Sequence, residues 1–525
     1  MIDSRANKRQ SNSHRKAMWG TAVSLAIFMG CAVGPDFKPP PAPDTNRYTA
    51  TALPEQTAAA PVAGGRAQRL QKGQEIPRQW WLLFHSQALD RLIRLALSDN
   101  PTVAAAQATL RQAQENFRAQ SGTTWYPSVD ASASASRQRS GGASFGQSRG
   151  GTRVFSLYNA SVNVSYVLDI FGGRRRELEA LKARVDYRDF QLQGTFLTLT
   201  ANIVTTAIKE AGLRAQLQTA REILEDQRQA YQLVQRQLEL GSISRADLLA
   251  QKTQLARTQA TLPPLEKTLA QTRHLLAVLV GKYPGEAGTL PAFDLQELEL
   301  PMDLPVSLPS VLVRRRPDIQ SSEALLHAAS ARVGVATANL YPRITLTGSY
   351  GSQTNAFGDL FKDGNTIWNL GAGLLQPLFH GGELTAKHRA AIAAFQQAQA
   401  LYRQTVLQSF LNVADVLRAL ESDARTLKAQ SEVTDASRDT LKLTKAQFRF
   451  GAVSYLSLLD AQRQYQQARL DQVQARAARL ADTAALFQAL GGGWWYPVGT
   501  DNKQPISLGS RSPDRVGRRG TGGFP

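Results

Sequence analysis

The chain of 525 residues has one cysteine, and its position defines the first chemistry the sequence offers. Ahead of Cys31, residues 1–16 carry Arg5, Lys8, Arg9, Arg15 and Lys16 against the single acid Asp3, and residues 17–30 are uncharged. That run is too short to cross a bilayer as a helix, which takes about 20 residues. A basic start, a short apolar stretch and small Gly30 before the cut read as an export signal. Cleavage there leaves the Cys31 thiol at the new N-terminus, where it takes a covalent lipid, although Phe28 and Met29 are unusual residues before Gly30. Ala32, rather than Asp, follows the cysteine and fits outer-membrane retention. Other chemistry is thin. Gly142, Ser144 and Gly146 have the G-x-S-x-G spacing, but that elbow needs a buried strand before it and a helix after it. Here it lies in a polar Gly/Ser loop. His380 and His388 have no further ligands nearby in sequence, and a lone cysteine excludes an internal disulfide and a Cys-based zinc site. No phosphate-binding glycine loop is present. The expectation is no enzyme, no catalytic residue, no metal and no cofactor beyond the lipid on Cys31.

The elements that position anything in this chain are repeated. Residues 238–260 match 448–470, with Gly241 and Gly451 210 positions apart, and Gly281 and Gly491 keep that spacing. Tyr126-Pro127 matches Tyr341-Pro342 at 215, and Phe171-Gly172-Gly173 matches Phe379-His380-Gly381-Gly382 at 208 to 209. The chain is a tandem duplication, an organisation that must be recognised before any fold is assigned. The boundaries are a lipoprotein signal at 1–30, an acylated N-terminus and extended linker at 31–65, a first repeat at 66–290, a second at 291–495, and a basic disordered tail at 496–525.

Each copy carries two alternating segments and then long helices. Val162, Val164, Tyr166 and Leu168 alternate with Asn159, Ser161, Asn163 and Ser165 on the other face, and Trp368, Leu370, Ala372 and Leu374 alternate with Asn369, Gly371 and Gly373. Period two predicts hairpins at about 128–170 and 343–376, and one apolar plus one polar face over about 10 residues suits a membrane barrel as well as a soluble hairpin. Four strands cannot close a membrane barrel, so a barrel requires an oligomer, of a size the strands leave open. Helix hairpins are expected at about 174–281 and 382–490. Leu213, Leu217, Ala220, Leu224, Tyr231, Val234 and Leu238 step by 4, 3, 4, 7, 3 and 4, a 3.5-residue mean that signals coiled-coil packing. A helix over 174–240 is about 100 Å long, and helices over 100–124 and 244–280, about 38 and 56 Å, nearly equal it together. The two short helices are therefore expected to stack end to end beside the long one, with a kink at Pro263-Pro264.

These residues resemble the TolC/OprM/NodT family of outer-membrane efflux proteins. The resemblance rests on CAVGPDFKPP (31–40), LDIFGGRRRELEA (168–180), ATLPPLEKTLAQTRHLLAVLVG (260–281), RRRPDIQSSEALLHAASARVGVATANLYPRITLTGSYG (314–351), QPLFHGG (376–382) and ALGGGWW (489–495). It implies a mainly α chain with a β-barrel part. Three copies would form a 12-stranded outer-membrane barrel continued by a helical periplasmic tunnel. The implied partners are two further copies, outer-membrane lipid, a periplasmic adaptor and an RND-type inner-membrane pump. The lipid-facing strand residues would be Val162, Val164, Tyr166, Trp368, Leu370 and Leu374.

Within that resemblance the turns Gly241-Ser242-Ile243-Ser244 and Gly451-Ala452-Val453-Ser454 form the periplasmic tip that meets the adaptor. Gly permits a left-handed helix end there, and Ser caps the next helix. Asp460 matches a carboxylate that faces the narrowed entrance in the family. Copy one has Ala250 at the equivalent place and offers Asp247 one turn earlier.

The net charge of +19, with Arg174-Arg175-Arg176 and Arg314-Arg315-Arg316, raises a rival class, a coiled-coil nucleic-acid binder. Such proteins show a groove-reading basic helix or stacking aromatics at module spacing. Here the aromatics alternate on strands and the leader carries five of the bases. No nucleic-acid partner is expected. A nearer alternative is an outlet for polypeptide secretion through the same architecture.

Overall fold

The computed structural model describes residues 32–45, 47–140 and 153–494. The expected signal, Cys31, the G-x-S-x-G spacing and the tail at 496–525 lie outside them. In order, the elements are β1 (Arg69–Lys72), α1 (Gln87–Asp99), α2 (Pro101–Trp125), β2 (Ser128–Ser140), β3 (Arg153–Leu168), α3 (Gly173–Glu239), α4 (Arg245–Leu279), β4 (Asp303–Val306), α5 (Pro309–Arg315), α6 (Pro317–Ala338), β5 (Arg343–Thr354), β6 (Thr366–Leu375), α7 (Glu383–Arg449) and α8 (Tyr455–Ala489).

The duplication is more regular in space than in sequence. Helices α3 and α7 have 67 residues each, and α4 and α8 have 35 each. The helix-capping glycines Gly172 and Gly382 are 210 residues apart, so the structural offset is 210 where the motif match gave 208 to 209. Phe379 therefore takes the place of Asp169 rather than of Phe171. Asp169 uses its two carboxylate oxygens to accept the Arg174 and Arg175 backbone N–H groups at 3.0 and 2.9 Å, work that Phe379 cannot do.

The short helices do stack end to end. Asn100, which caps α2, donates from Nδ2 to the Leu279 carbonyl at the end of α4 at 2.8 Å. In copy two Arg316 takes that place and donates to the Ala489 carbonyl at the end of α8 at 2.6 Å. Helix α4 runs through Pro263 and Pro264, where a kink was expected, without ending there. Proline leaves the carbonyl four residues back without its donor, and Gln259 and Ala260 are exposed, so water can serve them.

Strands β2, β3, β5 and β6 form one antiparallel sheet in that order. A second, parallel pair joins β1 to β4 and was not signalled by the repeat. It sits on a waist core where Trp80 stacks on Phe487 with ring centres 5.2 Å apart.

The stretch expected to be a linker is instead a strap fixed along the body. The Val33 N–H donates to the Phe171 carbonyl at 3.0 Å. Gly34 lies so close to α6 that a Cβ there would sit 2.4 Å from Gly334 Cα, which only glycine allows. Next to it, Arg176 donates to Asp36 Oδ1 at 2.6 Å and to Glu179 Oε2 at 2.8 Å. Phe37 stacks on His327 at 4.3 Å, and the Tyr48 hydroxyl donates to the Ser307 carbonyl at 2.9 Å. Lower down, buried Arg479 donates to the carbonyls of Gly64 and Arg66 at 3.1 and 2.8 Å. The strap's prolines pre-extend it, and its aromatics bury it.

Candidate functional site: a two-faced sheet and a helical tip

The sheet register gathers the apolar stripes of both copies onto one face. Ala131, Val162, Tyr350 and Trp368 lie in one row, and Val129, Val164, Gly348 and Leu370 in the next. Tyr166 with Leu346, and Leu168 with Ile344 and Leu374, continue it. The opposite face is polar: Asp130, Asn163, Ser349 and Asn369 share a row, and Asn163 Nδ2 donates to Ser132 Oγ at 3.0 Å. Trp368 and Leu370 are 74% and 80% exposed, so the apolar face is uncovered in the single chain. Aromatic residues flank it. Trp125, Tyr126, Tyr341 and Phe379 stand exposed at the helix end, and Tyr350, Phe357 and Trp368 at the hairpin end. The nine residue steps from Tyr341 to Tyr350 cover about 30 Å of extended chain, or about 23 Å of height at a tilt of ~40°. An outer-membrane barrel has an apolar band of about 25 Å between aromatic girdles.

At the other end of the long helices the two tip turns have the same construction. Gly241 and Gly451 have φ of 71° and 73°, the left-handed region. The Ser242 N–H donates to the Gln237 carbonyl at 2.8 Å, and the Ala452 N–H to the Gln447 carbonyl at 2.9 Å. These are the closing bonds of Schellman ends. Ser244 Oγ accepts from the Asp247 N–H, and Ser454 Oγ from the Ser457 N–H, both at 3.2 Å. Leu240 and Phe450 stand 80% and 87% exposed beside these turns.

The structure separates the two aspartates. Asp247 is a capping residue: its Oδ2 accepts the Ser244 N–H at 3.1 Å and the Ser244 hydroxyl at 2.7 Å. Asp460 has no such duty. Its carboxylate, half-exposed, accepts from Arg463 Nη2 at 3.0 Å and from Gln464 Nε2 at 2.7 Å, all on α8.

Sequence reasoning missed the group that joins the two coils just above the tip. The Tyr455 hydroxyl on α8 donates to Gln251 Oε1 on α4 at 2.7 Å, and Gln251 Nε2 donates to Gln227 Oε1 on α3 at 2.7 Å. All three are buried. Burial, with a smaller contribution from nearby Asp247, pushes the Tyr455 hydroxyl well above its usual range, so it stays a donor. The signal was in the heptads. The double step from Leu224 to Tyr231 skips a seam position, and Gln227 fills it.

With that geometry, the comparisons with known proteins decide the family. The family described as outer membrane efflux protein matches residues 92–282 and 308–492, the two halves of the duplication. The chain belongs to it. This outer-membrane efflux protein is 32% identical over 448 residues to the pyoverdine export outer membrane protein OpmQ of Pseudomonas putida, covering 85% of this chain and 94% of that one. It is 30% identical over 494 residues to the toluene efflux pump outer membrane protein TtgC of Pseudomonas putida, covering 93% and 98%. Among solved structures it is similar to the outer-membrane channel OprN, with a TM-score of 0.79 at 28% identity over 88% of this chain and all of that one. The protein is an outer-membrane efflux channel component, and the family transports rather than catalyses. His380, considered above as a ligand, lies 3.6 Å from the Glu383 carboxylate.

A second unforeseen feature lies at the waist of the efflux protein. Asp423 on α7 sits beside Asp482 on α8, with Oδ2 buried and without a hydrogen-bond partner among the described residues. Burial first, and then the Asp482 carboxylate, push the Asp423 carboxyl up to about 7, while Arg479 pulls it down. Burial in turn lowers Arg479 to about 10, against the pull of Asp423. An unfolded Asp ionises near 3.9. Between about pH 4 and 7 the native chain keeps a proton that the unfolded chain has released, so stability falls as pH rises through that window. The melting temperature of the solubilised protein is expected to be lower at pH 8 than at pH 5, and Asp423→Asn is expected to flatten that slope. An unchanged slope in the variant would assign it to other groups.

Proposed function

We propose that three copies close into one continuous conduit from periplasm to exterior, and that the chain conducts small molecules passively through it. The observation that carries this reading is the pair of open edges. Among the described residues of the single chain, β2 and β6 end the four-stranded sheet without a neighbour. Such edges with an exposed apolar face are a liability unless closure removes them. The helical layer has matching open flanks, with exposed Leu275 and Val278 on α4 and Leu401, Leu407 and Leu411 on α7. Three chains supply twelve strands, an even number within the range of outer-membrane barrels. The polar face then lines the lumen, and the apolar face, with Val162, Val164, Tyr166, Trp368, Leu370 and Leu374, meets lipid.

The tip turns with Leu240 and Phe450 are the docking surface for a periplasmic adaptor, which links the conduit to an RND-type inner-membrane pump. Asp460 and Arg463 ring the entrance, and the Tyr455–Gln251–Gln227 link holds the coils in the closed arrangement. Cys31 is acylated. The strap supports this, because Val33, two residues on, is bonded at the junction of helix and sheet. Labelled palmitate is expected to enter the wild type and not Cys31→Ser.

The names of the relatives speak of toluene and of pyoverdine, both small molecules. Deleting the gene should therefore raise cell sensitivity to small amphipathic compounds, and restoring it should reverse that. Loss of a secreted polypeptide with unchanged sensitivity would favour the secretion outlet instead.

A further inference from the structure

We propose that the outer wall of the sheet, at its hairpin end, binds the phosphate-bearing headgroup of an anionic lipid. This rests on the channel reading above and adds a ligand site to it. On β2 the residues that share the apolar face are Val129, then Ala131, Ala133 and Ala135, and then Arg137 and Arg139. The change from alanine to arginine comes where the partner strand places Tyr158, opposite Ala135. Arg137 is opposite Ser156, two pairs further out and next on the same face, diagonal to Tyr158 and within reach of a long side chain. Both arginines lie in an exposed stretch of the strand.

The loop between β5 and β6 folds onto this same outer face and not over the lumen. Ser352, on the Tyr350 side of β5, is buried and donates from Oγ to the carbonyls of Asn365, at 3.1 Å, and Leu360. Asn365 Nδ2 donates to the Asp359 carbonyl at 2.7 Å. Phe357 meets the Tyr158 ring edge-on at 5.6 Å. Held in this way, the loop presents Phe357 and Phe361, 72% and 84% exposed, on the outside of the wall. Lys362 on the same loop pairs with Asp359 at 2.6 Å.

The outer wall thus offers aromatic rings at the level where the apolar band ends and guanidinium groups just beyond it. Aromatic residues settle at the boundary between acyl chains and headgroups. Guanidinium forks pair with phosphate oxygens, and a basic side chain near an anionic lipid surface adds about 1 kcal/mol of attraction. A soluble acidic protein would meet the arginines but would have no use for two exposed phenylalanines at the edge of the lipid band.

The test uses the full chain, solubilised and offered a bisphosphorylated glucosamine-disaccharide lipid and its dephosphorylated counterpart, with retained lipid counted by native mass spectrometry. The wild type is expected to prefer the phosphorylated lipid, and Arg137→Gln/Arg139→Gln to lose that preference by about tenfold. Unchanged conductance of the variant in planar bilayers shows that it has folded. A variant that keeps the wild-type preference would overturn the proposal, as would displacement of the lipid by millimolar inorganic phosphate, which would mark a free-phosphate site. A wild type that never conducts counts against the channel reading, whereas a conducting wild type without lipid preference counts against this site alone.

Discussion

Leu346→Arg will keep the chain out of the outer membrane, and Thr347→Arg, one residue along, will not. Leu346 lies on the apolar face between Tyr166 and Ala372, near the middle of the band between the aromatic girdles. Arginine on the lipid side of a barrel costs about 2–4 kcal/mol at the midplane. Three copies in one ring would multiply that by three, comparable with the whole stability of a typical domain, about 5–15 kcal/mol. Thr347 is paired with Ser165 and Gly371 on the polar face, where a charge stays in water. Fractionated membranes probed for the two variants read the outcome. If both variants reach the outer membrane, the assignment of faces is wrong.

Tyr455→Phe will open the periplasmic end. The substitution keeps the ring in its packing with Leu458 and Leu459 and removes only the hydroxyl. Gln251 Oε1, buried, then loses its donor from the second copy. An unsatisfied buried acceptor costs about 1–3 kcal/mol, and 1.4 kcal/mol changes an equilibrium about tenfold. If the bond exists only in the closed arrangement, the whole cost falls on that state, once per protomer. Single-channel records should show conductance or open probability well above wild type, while the barrel and the melting temperature change little. Asp460→Ala should also raise leakage, with a smaller effect on stability because its pair with Arg463 is exposed to solvent. Wild-type conductance in Tyr455→Phe would remove the link from the gate. Asp247→Ala should instead weaken the cap of α4 by about 1 kcal/mol, with conductance unchanged.

The sequence announced the scaffold because periodicity is a local property. Heptads located α3 and the repeat carried that reading to α7, alternation located the strands, and Gly241 and Gly451 located the turns. What it concealed depends on distant groups meeting. Strands β1 and β4 are four residues each and lie more than 200 residues apart, too short for any pattern to announce them. Asp423 looks like any aspartate on a coil until α8 brings Asp482 beside it. The strap reads as a proline-rich linker, and contacts between distant residues, such as Gly34 against Gly334 and Arg176 on Asp36, show that it is part of the fold. Asp247 and Asp460 looked like alternative gate residues. The capping box at Ser244 occupies the first and not the second.

One conduit made from three copies is the assembly at stake. It is tested most directly by taking the protein from outer-membrane fractions, weighing the intact particle in detergent, and recording from the same particle in planar bilayers. The expected result is three times the mass of the chain and discrete ion-conducting steps. A stable particle of one chain, or a trimer that passes no current even as Tyr455→Phe, would contradict it.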